Sequence, residues 1–241
     1  MSKKWYRKPV YLLTALALVL SLGVVAVPTT GTVEANTQAT EVWVDDNYTP
    51  GSCGGHMWGY DAFDNIQDGI DNVADDSTVH VAAGEYAGFY IAERSGINVV
   101  GTEGVIVNYP PPYEEEFAPC LTYIFDSTDI TIEGIEFQFP AIEPTAPSGF
   151  GAFSQPFTFT VVAGIGCFNS TGTINSVTVR DMVTPVSEEV LAAGIFVMGG
   201  LFEETVTISD STTENCTIGV LVLADHVILD SCSISGVTTG L

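Results

Sequence analysis

Short runs of alternating apolar and polar residues dominate the chain after residue 41. Most runs are three to six residues long, and Gly, Asn, Asp or Ser separates one run from the next. Val177–Val179 (VTV) and Val206–Ile208 (VTI) are examples. Alternation places apolar side chains on one face of an extended strand, and the separating residues are those that favour turns. This pattern predicts many short β-strands.

One segment near the start has helical periodicity instead. Its apolar residues recur at spacings of three or four, which places them on one face of a helix. They are Phe63, Ile66, Ile70 and Val73. We therefore predict an amphipathic helix over Asp61–Ala74, with Asp61 as its N-cap.

Two pairs of segments repeat along the chain. Residues 204–211 (ETVTISDS) resemble residues 225–232 (DHVILDSC) at an offset of twenty-one, and residues 163–168 (AGIGCF) resemble residues 193–198 (AGIFVM) at an offset of thirty. A fixed period with tolerated insertions is typical of a solenoid. Roughly twenty residues hold three short strands and three turns. We therefore predict an all-β fold, a right-handed parallel β-helix solenoid, in preference to a β-sandwich.

The two ends of this solenoid carry different predictions. An N-terminal capping α-helix over the first coil would cover backbone edges that otherwise invite association. At the other end the repeats continue to Leu241 without a polar capping repeat, which solenoids generally need. We therefore predict that residues 36–241 form one parallel β-helix domain, truncated at its C-terminal end.

The first thirty-five residues have the pattern of an export signal. Four basic residues, at positions 3, 4, 7 and 8, precede the uncharged apolar run Val10–Val27, and small residues follow at Val33–Ala35. We predict that residues 1–35 are a signal peptide cleaved after Ala35, or an N-terminal anchor, because eighteen apolar residues approach the length of a membrane span. Either reading predicts a secreted or cell-surface protein that contacts a membrane only through an uncleaved N-terminal segment.

Residues 36–241 are strongly acidic. They contain two arginines against 29 acidic residues, a formal net charge of −27. Such a surface repels nucleic acid and argues against nucleic-acid binding. The charge serves solubility or adaptation to salt, or it binds calcium, a hard cation that prefers carboxylate oxygens. The candidate calcium ligands flank the N-terminal loop and are Asp45, Asp46, Asp61 and Asp64. No other cofactor is indicated.

The five cysteines do not form a metal or redox motif. Their number is odd, their spacings are wide, and no CxxC occurs. Several lie inside apolar runs, which predicts that most are small core residues. Cys53, His56 and Met57 share one Gly-rich loop, where soft ligands suit copper, but a second ligand cluster is missing and a structural role is favoured.

Four segments resemble the opening of secreted and cell-surface proteins of the pectin-lyase-like superfamily, which are right-handed parallel β-helices. They are Val42–Asn47 (VWVDDN), Trp58–Gln67 (WGYDAFDNIQ), Val79–Tyr86 (VHVAAGEY) and Gly96–Gly101 (GINVVG). The resemblance covers about residues 41–101 and implies the fold. It leaves activity open, because this scaffold carries lyases, hydrolases, epimerases, adhesins and binding modules.

A catalytic set is not evident in the sequence. A pectate-lyase-like reaction would need calcium carboxylates and an arginine or lysine base, but residues 36–241 contain no lysine. Arg94 and Arg180 lie in separate coils without an evident acidic constellation at coil spacing, and we interpret both as surface residues. The clustered aspartates, Gly-His-Gly and Arg-x-Lys of a polygalacturonase-like site are absent. Whether the protein is an enzyme therefore stays open.

Two long inserts, Asn108–Cys120 and Pro140–Pro156, interrupt the predicted coils, and loops on a rigid scaffold are where function concentrates. Their aromatic residues either pack the inserts onto the solenoid or offer flat faces to sugar rings. These candidate carbohydrate-binding residues are Tyr109, Tyr113, Phe117, Phe150 and Phe153. We favour a protein that binds polysaccharide or other surface polymers. The alternative is a polysaccharide lyase or glycoside hydrolase whose catalytic coils lie partly beyond residue 241.

Overall fold

A computed structural model describes residues 38–109, 120–139, 160–183, 190–199 and 205–237. These residues form nineteen strands and one helix, α1, over Ile66–Asn72. The strands are β1 Ala39–Val44, β2 Ala62–Phe63, β3 Val73–Val81, β4 Gly84–Ala87, β5 Phe89–Ala92, β6 Asn98–Gly101, β7 Val105–Tyr109, β8 Cys120–Phe125, β9 Ile130–Glu133, β10 Glu136–Gln138, β11 Thr160–Phe168, β12 Gly172–Asn175, β13 Thr178–Arg180, β14 Val190–Met198, β15 Thr205–Ser209, β16 Thr212–Glu214, β17 Ile218–Leu223, β18 His226–Asp230 and β19 Ser233–Ser235.

The strands form three parallel sheets. The first sheet has the order β18-β15-β12-β9-β6-β3-β1-β2, the second has β19-β16-β13-β10-β7-β4, and the third has β17-β14-β11-β8-β5. From β3 onward, consecutive strands belong to the first, second and third sheet in turn, so each set of three makes one coil. The all-β parallel β-helix that the repeats predict, and that the family resemblance implies, is therefore confirmed.

Inward side chains stack from coil to coil and form the core. One column of the first sheet consists of successive register partners, each at most 1% exposed. Its members are Val79, Val99, Ile132, Ile174 and Ile208. Burial of a valine or isoleucine side chain contributes about 1.5–3 kcal/mol relative to exposure. Alternation in the sequence thus becomes a continuous apolar interior, because each coil supplies an equivalent inward residue.

The sequence repeats coincide with the strand register. Val206 of β15 lies beside Val227 of β18, and the neighbouring pairs keep the same offset of twenty-one residues. Ala163 of β11 lies beside Ala193 of β14, at the offset of thirty. Residues that resemble one another in sequence are therefore neighbours on adjacent coils, as the solenoid interpretation predicts.

The helix is shorter than predicted. Its N-cap is Asn65, whose side chain accepts a hydrogen bond from the backbone N–H of Asp68 at 2.8 Å. The predicted start at Asp61 is wrong, because Ala62–Phe63 form β2 and pair with β1. Pairing with β1 already supplies partners to the backbone groups that another helical turn would have engaged. At the other end the chain leaves the helix at Val73, where β3 begins.

The helix covers the first coil, as predicted. Ile66 and Ile70 are each 1% exposed. The helix backbone lies so close to the interior that a Cβ atom at Gly69 would lie 2.9 Å from Val44 Cγ2 and 3.2 Å from Val79 Cγ1. Such contact leaves no room for a side chain larger than glycine, and it closes the apolar end of the stack.

Glycines on adjacent strands of the third sheet lie very close to side chains of the second sheet. A Cβ atom at Gly194 would lie 2.7 Å from the backbone oxygen of Gly219 and 2.9 Å from Thr213 Cγ2. A Cβ atom at Gly219 would lie 2.5 Å from Ile234 Cγ2. The glycines within the apolar runs thus let strands of the third sheet approach side chains of the second sheet closely.

A second apolar cluster, separate from the interior, also lies on the third sheet. The Tyr123 and Phe168 rings have centroids 4.6 Å apart, and Phe168 meets Phe196 edge-on at 5.3 Å. All three side chains are at most 3% exposed. The central strands of this sheet, β8, β11 and β14, therefore bury both faces, which accounts for continuous apolar runs such as CLTYIF in place of simple alternation.

Candidate functional site

The outward face of the second sheet carries a row of polar side chains at one register position. Gln138 lies beside Arg180, Arg180 beside Glu214, and Glu214 beside Ser235. We call these four residues the Arg180 row. Gln138 and Arg180 are the last residues of β10 and β13. The row therefore lies where the chain leaves the second sheet on its way to the third.

A carboxylate and an amide hold the Arg180 guanidinium in place. Arg180 Nη2 forms an ion pair with Glu136 Oε1 and donates a hydrogen bond to Gln138 Oε1 at 3.3 Å. The Arg180 side chain is 38% exposed and that of Glu136 is 30% exposed. Arg180 Nε is buried and lacks a hydrogen-bond partner among the described residues. The guanidinium is thus fixed at one edge while part of it stays accessible to solvent.

The amide of Gln138 extends this network to the corner of the coil. Gln138 Nε2 donates to Asp181 Oδ2 at 3.2 Å, and Asn215 Nδ2 donates to Asp181 Oδ1 at 2.8 Å. Asp181 and Asn215 have φ values of 64° and 49°, in the left-handed region that aspartate and asparagine tolerate better than most residues. Both oxygens of Asp181 are therefore occupied, and Gln138 has a single amide orientation that satisfies both of its partners.

Arg180 is a surface residue, as interpreted from the sequence, but the interpretation that it lacks acidic neighbours at coil spacing is wrong. Glu136 lies one coil before Arg180 and Glu214 one coil after it. Arg94 differs from a surface residue, because its side chain is only 20% exposed and it donates to the backbone oxygens of Ile70 at 2.8 Å and Val73 at 2.7 Å. Arg94 anchors the end of α1 and does not belong to the candidate site.

The candidate carbohydrate-binding residues belong, by their place in the sequence, to two connections between strands or to the strand end that precedes one. Residues 110–119 join β7 to β8 and residues 140–159 join β10 to β11, so both connections run from the second sheet to the third in successive coils. Tyr113, Phe117, Phe150 and Phe153 lie outside the described residues. Of Tyr109 the structure describes only the backbone, which pairs with that of Ala87 at the end of β7.

Two of the candidate calcium ligands lie together at the start of the N-terminal loop. Asp45 Oδ1 accepts from the backbone N–H of Asn47 at 2.9 Å and from Asn47 Nδ2 at 3.0 Å. Asp46 Oδ1 accepts from the same Nδ2 at 2.5 Å, and Asp46 Oδ2 accepts from the backbone N–H of Glu85 at 3.4 Å. These carboxylates therefore order the loop through local hydrogen bonds.

The other two candidate calcium ligands have separate partners. Asp61 Oδ1 accepts from the backbone N–H of Met57 at 2.5 Å, and Asp64 Oδ1 accepts from Asn65 Nδ2 at 3.0 Å. In the part of the chain that the structure describes, no group of three or more His, Cys, Asp or Glu side chains is placed to hold a metal ion.

The buried hydroxyl group of Tyr86 links the first coil to this loop. The Tyr86 hydroxyl donates to the backbone oxygen of Ala82 at 2.9 Å and accepts from the backbone N–H of Asp46 at 3.3 Å. Burial raises the pKa of Tyr86 to about 12. The hydroxyl is therefore a neutral structural link between the loop and β4 across the physiological pH range.

The histidines of the loop region stack on one tryptophan. Trp43 lies 4.1 Å from the ring of His56 and 5.4 Å from that of His80, with interplanar angles near 20°. His56 Nδ1 is 3.5 Å from Asp61 Oδ2, and His80 Nε2 contacts Glu41. Each imidazole therefore has an aromatic partner and an acidic partner, an arrangement that pins the loop to the first sheet and that spacing in the sequence did not reveal.

Three of the cysteines are core residues, as predicted. Cys120, Cys167 and Cys216 are buried and free, while Cys53 and Cys232 are partly buried and free. Burial raises the pKa of Cys120 and of Cys167 to about 12, so both thiols stay protonated and unreactive near neutral pH. Cys53 Sγ donates to the backbone oxygen of His56 at 2.9 Å, which accounts for its place in the Gly-rich loop.

Comparison with known proteins adds a distant structural match. No protein-family profile matches the chain, and no curated protein matches it. A solved structure of a pectin methylesterase variant in complex with a hexasaccharide is similar, with 9% sequence identity and a TM-score of 0.42. The match covers 72% of this chain and 54% of that chain, about half of its length.

None of the described residues belongs to a helix long and apolar enough to cross a membrane.

Proposed function

We propose that this protein is an exported module that binds polysaccharide on the outward face of its second sheet. The observation that carries the proposal is the position of the Arg180 row. Gln138 ends β10, and the connection that follows, residues 140–159, contains Phe150 and Phe153. The equivalent connection one coil earlier, residues 110–119, contains Tyr113 and Phe117. Hydrogen bonds to polar side chains and stacking on flat apolar rings are the two kinds of contact that a sugar requires.

The acidic character of the chain favours a glycan as partner over nucleic acid. At a net charge of −27 for residues 36–241, association with a polyanion is opposed by long-range repulsion. A polysaccharide without charge meets no such barrier. Calcium bound at the candidate aspartates would lower the repulsion of a polyuronate, so binding should be measured with and without calcium.

Binding to immobilised polysaccharides tests the proposal. Mature protein would be applied to neutral glycans and to polyuronates, each with and without calcium. Tyr113→Ala and Phe150→Ala should weaken retention, because each removes one aromatic face. Tyr60→Ala is the matched control, since Tyr60 is a 42% exposed tyrosine of the N-terminal loop. Retention on none of these polymers would contradict the proposal.

A lyase or hydrolase is the second candidate, and the Glu136–Arg180 pair favours it. Carboxylates of Glu136 and Glu214 lie on strands to either side of the Arg180 guanidinium, and paired carboxylates are the usual acid and base of glycoside hydrolysis. Release of reducing ends, or absorbance from unsaturated products, would establish this activity. Its loss in Glu136→Gln with the protein still folded would assign the pair to catalysis.

Export is proposed from residues 1–35. Terminal sequencing of the secreted protein should give Asn36 as the first residue, because cleavage is expected after Ala35. Full-length chain found soluble in the cytoplasm would overturn this part of the proposal.

A further inference from the structure

We propose that the Arg180 row selects an uncharged polysaccharide, whose chain crosses the strands of the second sheet with one sugar unit for each coil. This inference rests on the proposed function and names the class of glycan and the surface that contacts it. Four consecutive coils supply the row through Gln138, Arg180, Glu214 and Ser235.

The first argument is that the row presents oriented donors and acceptors. The Arg180 guanidinium is fixed by Glu136 and Gln138 but remains 38% exposed. Its Nε lacks a hydrogen-bond partner among the described residues although it is buried, and an unsatisfied buried donor costs about 1–3 kcal/mol. Because Nε is buried, a ligand hydroxyl accepts instead from the exposed part of the guanidinium, whose orientation Glu136 and Gln138 fix.

The second argument is charge. Three acidic residues lie near Arg180. Glu136 pairs with its guanidinium, Asp181 follows it in the chain, and Glu214 is its register partner on the next coil. The ion pair with Glu136 already offsets the positive charge, so the surface is negative as a whole. A polyuronate would bring further carboxylates to this surface and be repelled. Hydroxyl groups of an uncharged sugar accept from the guanidinium and donate to the carboxylates without that penalty.

The third argument is spacing. Neighbouring strands of a sheet lie about 4.8 Å apart, which is close to the length of one sugar unit in an extended polysaccharide. Row residues on successive coils therefore repeat at the interval of the polymer. A chain that crosses the strands would meet Gln138, Arg180 and Glu214 in turn, and each sugar would find a polar side chain in the same register.

Calorimetric titration of mature protein with neutral and polyuronate oligosaccharides tests this inference. Arg180→Ala and Gln138→Ala are each expected to weaken binding of the neutral oligosaccharide at least about tenfold, because the first removes a charged hydrogen-bond donor and the second removes the amide that holds this donor in place. Asn175→Ala is the matched control. Asn175 is an outward amide of the first sheet that bonds to Glu133 at 3.2 Å and to Ser209 at 2.9 Å, as Gln138 does in the second sheet. Thermal unfolding verifies that each variant is folded.

The outcomes separate this inference from the proposed function. Loss of neutral-glycan binding in both row variants, with Asn175→Ala unchanged, supports the inference. Unchanged binding in the folded row variants overturns it and leaves polysaccharide binding at another surface. Binding of polyuronates alone overturns the uncharged class and keeps the proposed function. Binding of neither class overturns both.

Discussion

Replacement of Arg94 should loosen the helix that closes the solenoid. Arg94 follows β5, yet its side chain reaches back to the end of α1. Its Nη1 and Nη2 donate to the backbone oxygens of Ile70 and Val73, and its Nε donates to Asp75 Oδ1 at 2.7 Å. These two backbone oxygens belong to the last turn of α1 and to its C-cap, where helix geometry leaves carbonyl groups without partners and favours a cation.

The size of the effect follows from these contacts. A hydrogen bond to a charged group contributes about 1.5–3 kcal/mol, and two such bonds end at carbonyl groups of the helix terminus. The Asp75 carboxylate is 55% exposed, so its ion pair adds less than about 1 kcal/mol. Because the three contacts share one side chain and are not additive, Arg94→Ala should lower the free energy of unfolding by about 2–4 kcal/mol.

Urea unfolding followed by circular dichroism measures this loss, and hydrogen exchange at the amides of α1 locates it. Arg94→Lys should recover less than half of the stability, because an ammonium group cannot reach two carbonyls and a carboxylate in the fork geometry of a guanidinium. Asp75→Asn is the control for the ion pair and should cost less than about 1 kcal/mol. A change of under about 0.5 kcal/mol in Arg94→Ala, or full stability in Arg94→Lys, would refute the anchoring role.

Three further predictions concern a core glycine, the titration of Asp75 and the buried cysteines. Gly194→Ala should destabilise the protein by about 1–3 kcal/mol in the same unfolding assay, because the new methyl would lie 2.7 Å from the backbone oxygen of Gly219. The hydrogen bond from the Arg94 guanidinium lowers the pKa of Asp75 below 3.8. The stability that the ionised carboxylate contributes is therefore complete above pH 3.8 and is lost as the pH falls through the lowered value. The melting temperature of Asp75→Asn should accordingly fall less steeply with acid than that of wild type. Cys120 and Cys167, buried and with pKa values raised to about 12, should react with a thiol reagent only in urea, and labelling in buffer at neutral pH would contradict that assignment.

The interior could be predicted from the sequence because it repeats. The resemblance between residues 204–211 and 225–232 is a resemblance between side chains that occupy equivalent places in β15 and β18. Each coil needs an inward apolar residue at the same place. Residues that are one repeat apart in the sequence therefore become register partners on adjacent coils. The boundaries of the helix follow a different rule. Both Asp61 and Asn65 are good N-caps, and only the pairing of β2 with β1 decides between them.

The Arg180 row could not be predicted in the same way. Gln138 and Arg180 share a register position although forty-two residues separate them along the chain, because the coil between them carries the connection over residues 140–159. An insertion of that length changes the offset between equivalent residues of adjacent coils, so the repeat no longer identifies them in the sequence. The residues of the Arg180 row also differ in chemical type, so sequence similarity does not align them. An amide, a guanidinium and a carboxylate become one site only when the coils are stacked.

The two arginines of residues 36–241 have different roles, Arg94 in stability and Arg180 in the proposed binding surface. Arg94 points back into the first coil, and its three nitrogens each donate to a named oxygen at 2.7–2.8 Å. Arg180 lies on the outward face with only Nη2 held by Glu136 and Gln138, and its Nε lacks a partner among the described residues. Substitution should therefore separate the two roles. A change at Arg94 should lower stability throughout the first coil, whereas a change at Arg180 should act on binding, because the side chain at that position is not needed to close the core.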